Sequence, residues 1–210
     1  MSDNHAATID RRAHSLPLSA RLPSPGFFYN AGNLLGLCVG LAVALVGHGG
    51  RSGETLVAYF AGDGSALCLT AAMLVFFASG AVYQRAWQAA DLARLRLMRS
   101  ADFLSGVGAI LLGASLFLVG QPLLALASAT LNSAGKLGSA LALGHSEPLC
   151  RFARRIVLGS RAFGLLACAW TLVPATAGTG SASDFVMPVT LIVCYLLWAS
   201  ADILLMKYAD

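Results

Sequence analysis

Six apolar stretches of about twenty residues, separated by short segments that hold nearly all of the charge, constrain this chain more than any other feature of its sequence. A hydrocarbon core about 30 Å thick is crossed by about 20 helical residues rising 1.5 Å each, which is the length of one stretch. The expected fold is therefore all-α: a polytopic integral membrane bundle of about six transmembrane helices. Composition points the same way. With 57% hydrophobic and 11% charged residues, a 210-residue chain lacks the polar surface to cover a soluble globule.

The spans are read as Phe27 to Val46, Ser65 to Tyr83, Phe103 to Val119, Pro122 to Leu143, Ile156 to Pro174 and Phe185 to Met206. The third and fourth are parted only by Gly120-Gln121, and the Gly with the following Pro122 predicts a tight hairpin rather than one long helix. Residues 1–26 are polar, carry Pro17, Pro23 and Pro25, and lack the apolar region of a cleavable signal, so a disordered tail is expected there. Residues 27–210 then form the six-helix domain.

Orientation follows from the cations. Arg11, Arg12 and Arg21 precede the first span, Arg85, Arg94, Arg96 and Arg99 lie between the second and third, and Arg151, Arg154 and Arg155 lie between the fourth and fifth. Lys207 follows the sixth, whereas the alternate segments hold Arg51 alone, with Glu54, Asp63 and Asp184. Cytoplasmic segments keep the excess of Lys and Arg, so both termini are expected in the cytoplasm of a bacterial inner (plasma) membrane crossed several times. The formal charge of +4 is explained by these flanks, and no nucleic-acid partner is expected. Tyr29, Tyr83, Trp87 and Tyr208 fall near span ends, where amphipathic rings favour the headgroup region, while Tyr195 and Trp198 sit deeper.

Two patterns inside the spans carry information. Gly32, Gly36 and Gly40 form a small-residue stripe on the first span that Ala44 continues, and Ser105, Ala109 and Gly113 form a shorter one on the third. Such stripes let helix backbones approach closely in lipid, either within one chain or between two copies, so a homodimer or a partner in a membrane complex is one expectation for the Gly32-Gly36-Gly40 face. In the fourth span Ser128, Asn132, Lys136 and Ser139 recur at intervals of three and four and share one helical face. A Lys about 10 Å from the end of a span needs a partner. Asp202 and Asp102 are the available carboxylates, and Arg161, Asn30 and Asn33 lie at similar depth. Together these predict a polar vestibule or ion pair that faces the cytoplasm and binds a small anion or a lipid headgroup, or else fixes helix register.

Other chemistry finds no support. Cys38, Cys68, Cys150, Cys168 and Cys194 stand singly with no metal-site or disulfide spacing, and are read as packing residues. His5, His14, His48 and His145 lie in tails or at span ends, His145 and Glu147 lack the HExxH spacing, and Gly106 with Gly108 sits inside a span rather than in a phosphate-binding turn. Ser133 and Lys136 share the spacing of SxxK without a third group. No catalytic residue, metal or cofactor is expected. The leading expectation is a non-enzymatic membrane protein in contact with membrane lipids, either a small transporter-like bundle or an accessory subunit; the alternatives are a lipid-modifying membrane enzyme and a structural interaction module.

Overall fold

The computed structural model describes residues 23–47, 64–118, 120–174 and 182–207. Among these residues there are six helices and no strand: α1 Pro25–Gly47, α2 Gly64–Gln88, α3 Asp91–Leu118, α4 Leu123–Ala142, α5 Glu147–Pro174 and α6 Ala182–Lys207. Four of them, α2, α3, α5 and α6, are long and apolar enough to cross a membrane, which is compatible with a multi-pass membrane protein. The tail expected over residues 1–26 lies almost wholly outside the described residues; its last two residues already belong to α1.

Local sequence explains the helix ends. Pro25 occupies the first helical position, where its missing N–H costs nothing, and the Ser24 hydroxyl accepts a hydrogen bond from the Phe27 N–H at 3.2 Å. Gly120 and Gly144 take φ of +66° and +79° in the α3–α4 and α4–α5 turns, a left-handed conformation that costs glycine little. α3 begins at Asp91 and α5 at Glu147, well before the apolar runs that start at Phe103 and Ile156. Leu, Ala and Arg are good helix formers, so both helices continue through the basic segments; apolarity marks a change of solvent and not the end of hydrogen bonding.

Each helix packs against its neighbour in sequence, and α1 against α6 closes the circle. Every seam of this ring has a glycine at a point of close approach. Gly80 faces Asn30 between α1 and α2, Gly108 faces Phe76 between α2 and α3, and Gly106 faces Leu137 between α3 and α4. Gly135 meets Ala153 and Val157 between α4 and α5, Gly164 meets Tyr195 between α5 and α6, and Gly32 meets Trp198 between α6 and α1. In lipid the gain from such contacts is dispersion and weak Cα–H···O bonding, both of which demand that backbones come near.

The ring is apolar outside and polar within. Leu34, Leu74, Ile110, Leu141, Leu166 and Leu196, one from each helix, are all more than half exposed. The buried set is instead rich in Ala and Ser, holds few large aliphatic side chains, such as Met98, Leu143, Val157 and Leu205, and includes Asp102, Lys136, Arg154, Arg161 and Asp202. A water-soluble bundle reverses this distribution.

Candidate functional site

All six helices deliver polar side chains to the centre of the ring, each at helical spacing. α1 contributes Tyr29 and Asn33, α2 Ser79 and Tyr83, and α3 Asp102 and Ser105. Ser128, Asn132, Lys136 and Ser139 come from α4, Arg154 and Arg161 from α5, and Asp202 with Tyr195 from α6. Spacings of three, four and seven put these residues on the inward face of their helices.

Lys136 is the hub. Its Nζ donates to the hydroxyls of Tyr29 at 2.7 Å and Tyr83 at 3.0 Å, and to Asp202 Oδ1 at 3.0 Å, while Asp102 Oδ1 lies 3.4 Å away. Each phenol passes its own proton on: Tyr29 donates to Asp202 and Tyr83 donates to Asp102. The ammonium is thus tied to each carboxylate both directly and through a tyrosine. The two rings stack with centroids 5.0 Å apart. Because Nζ lies at the hydroxyl end of both rings, hydrogen bonding and not the ring face holds it.

The carboxylates reach outward from this hub. Arg161 Nε donates to Asp202 Oδ2 at 2.9 Å, and the guanidinium lies 5.7 Å from the Trp198 ring centroid. Ser139 Oγ donates to Asp102 Oδ2 at 2.8 Å and accepts a long hydrogen bond from Arg154 Nε at 3.4 Å; Arg154 Nη1 donates to the Leu205 carbonyl at 2.8 Å. Lys136 is 2% exposed and Asp202 3%, so these charges have left water and depend on one another for solvation. Lys136 and Arg161 against Asp102 and Asp202 leave the central four in balance.

One to two turns further from the basic ends of the helices, the packing opens into a cavity of about 30 Å³, measured by the positions that the centre of a water molecule can take. Asn33, Ser79, Ser105, Ser128, Asn132 and Arg161 give it polar lining, and Tyr29, Phe76, Tyr195 and Trp198 give it aromatic walls. Ser128 Oγ donates to the Ser160 carbonyl at 2.8 Å and lies 3.3 Å from the Tyr195 hydroxyl, and Ser79 Oγ donates to the Ala101 carbonyl at 2.8 Å. Asn132 differs: its Oδ1 is buried and has no hydrogen-bond partner among the described residues.

The residues singled out in the sequence therefore fall into two adjoining layers. Lys136, Asp202, Asp102 and Arg161 form the ion-pair knot, and Asn132, Ser128 and Asn33 line the cavity beside it. At the depth where a vestibule or ion pair is expected, the described residues place these four charges upon each other, and in a low dielectric each ion gains from such a partner. The cavity lies on the other side of the knot from the basic ends. Asn30 stands apart at the α1–α2 seam, packed on Gly80. Of the packing glycines, a side chain at Gly32 would meet Trp198, at Gly36 Cys194 and at Gly113 Ala129, all within the chain, and Gly40 has nothing within 4 Å. Among the described residues no group of His, Cys, Asp and Glu could hold a metal ion.

Sequence reasoning did not assign Tyr29, Tyr83, Tyr195 or Arg154 to the site. The available signal was spacing: Tyr29 precedes Asn33 by one turn, Tyr83 follows Ser79 by one turn, and Tyr195 precedes Asp202 by two. No protein-family model, no curated protein and no solved structure matches the chain.

Proposed function

We propose that this chain is a small transporter-like protein that crosses a plasma-type bacterial membrane six times with both termini in the cytoplasm. On this reading the cavity is its solute site and the ion-pair knot its cytoplasmic barrier. The observation that carries it is the convergence of polar side chains from all six helices of a closed ring onto one axis. Ionisable residues buried among lipid-facing helices are costly and are characteristic of solute and ion pathways.

The layering suits an alternating barrier. Arg154 and Ser139 face the basic ends, the knot follows, and the cavity lies beyond it. Lys136 has two arms, so on surrendering Asp102 it keeps Asp202, while Asp102 keeps the hydroxyls of Tyr83 and Ser139. Asp102 then loses its one cation, so separating the knot there costs energy that solute binding has to offset. Solute entering the cavity would shift the balance only through different affinity for the closed and opened states.

Reconstitution of the full chain into liposomes, with solute entry followed by stopped-flow light scattering over a size-graded series of solutes, tests this. Entry above that of empty vesicles for at least one small polar solute is expected, and absence of any such entry refutes transport. A second reading draws on the balance of the four charges: the knot serves only to fix helix register. The double substitution Asp102→Asn with Lys136→Gln removes one balanced pair and keeps the other. Unaltered solute entry in that folded variant supports register alone, whereas a leak or a loss of entry supports the barrier.

A further inference from the structure

We infer that the cavity takes a small neutral, planar solute bearing both an N–H donor and a carbonyl acceptor, the chemistry of urea and the simple primary amides. This rests on the reading of the cavity as a solute site and adds the class of solute.

Size sets the first limit. A single water requires about 10–15 Å³ of space for its centre, so about 30 Å³ admits about two adjacent water positions and thus a solute of only a few non-hydrogen atoms. Charge sets the second. Lys136 and Arg161 are already balanced by Asp102 and Asp202, so an ion entering the cavity meets no spare opposite charge there and must shed its water for nothing. Arg154, the remaining buried cation among the described residues, lies across the knot, where it bonds Ser139 and the Leu205 carbonyl and keeps one terminal nitrogen without a partner among those residues. Neutral solutes escape this penalty.

The polar groups then specify the functional groups. Asn132 lines the cavity, and its Oδ1 is buried with no donor among the described residues, so an N–H or O–H of an occupant that reaches it satisfies it. Arg161 also lines the cavity and commits Nε to Asp202, while its two terminal nitrogens hold no protein hydrogen bond among the described residues. Those nitrogens call for an acceptor, and a guanidinium fork matches a planar carbonyl oxygen well. Aromatic walls from Phe76, Tyr195 and Trp198 favour a flat group over a tetrahedral polyol.

The test compares urea, acetamide, glycerol, acetate and water entry into proteoliposomes of the full chain at neutral pH. Urea and acetamide are expected to enter about tenfold or more faster than into empty vesicles, with glycerol and acetate at background, and folded Asn132→Leu is expected to remove most of the amide entry. Faster entry of glycerol or acetate than of the amides, or entry of water alone, overturns the amide assignment and leaves a transport or channel reading standing. No entry of any solute overturns both. Unchanged amide entry in a monodisperse Asn132→Leu protein also overturns the assignment, and where that variant does not fold the selectivity of the unsubstituted protein decides the matter.

Discussion

Asp202 carries more of the interior than any other carboxylate described here, because it answers Lys136, Arg161 and the Tyr29 hydroxyl at once. Asp102 answers Lys136, Tyr83 and Ser139, of which only one is charged. Asp202→Asn is therefore expected to destabilise the protein by about 3–5 kcal/mol, the cost of stripping a buried pair of one partner, and Asp102→Asn by clearly less. Thermal unfolding in mild detergent, read by the exposure of buried Cys150, Cys168 and Cys194 to a thiol-reactive fluorophore, would order the two; equal losses would show that Arg161 does not depend on Asp202. The charged members of this set were legible in the sequence, since a lysine deep in an apolar run has to be answered by a carboxylate at matching depth. The tyrosines were not. A ring near the end of a span already has an adequate explanation at the headgroup layer, and only packing reveals that Tyr29 and Tyr83 turn inward. Nor was the cavity legible, because empty space is what remains when six helices fail to fill their axis, and no single residue encodes it.

Among the helices, the glycines divide by what stands opposite them. A Cβ at Gly135 would lie 2.6 Å from Val157 Cγ2 and 2.7 Å from the Ala153 carbonyl oxygen, and a backbone atom cannot step aside as a flexible side chain can. Gly135→Ala is expected to force α4 and α5 apart at a cost of about 1–3 kcal/mol. Gly40 meets nothing within 4 Å, so Gly40→Ala should be neutral or stabilise α1 by up to about 1 kcal/mol through helix propensity. The same detergent melt separates the two, and a loss at Gly40 comparable to that at Gly135 would point to a contact of α1 outside the single chain. The six apolar runs and the Gly120 hairpin could be read from sequence because they depend on local composition and turn chemistry. The early starts of α3 and α5 could not, since basic residues of good helix propensity look like a loop when apolarity is the only guide.

As a whole the molecule is an up-and-down ring whose polar interior and apolar exterior are inverted relative to a soluble bundle. The proposed orientation has a direct check: reporters inserted after Ala90 and after Gly144 are expected on the cytoplasmic side, and one after Gly120 on the opposite side. A reporter after Ala90 that is active only outside the cell would reverse the assignment. Ring closure also has a consequence for synthesis. Lys136 and Arg161 leave the ribosome well before Asp202, which belongs to the last helix, so a growing chain passes through a stage in which Asp102, the partner of Lys136, is the one carboxylate of the knot yet made and Arg161 lacks its own. Maturation then hinges on the arrival of α6, and a product that stops short of it should be held at the insertion machinery or degraded rather than accumulate as a five-helix remnant.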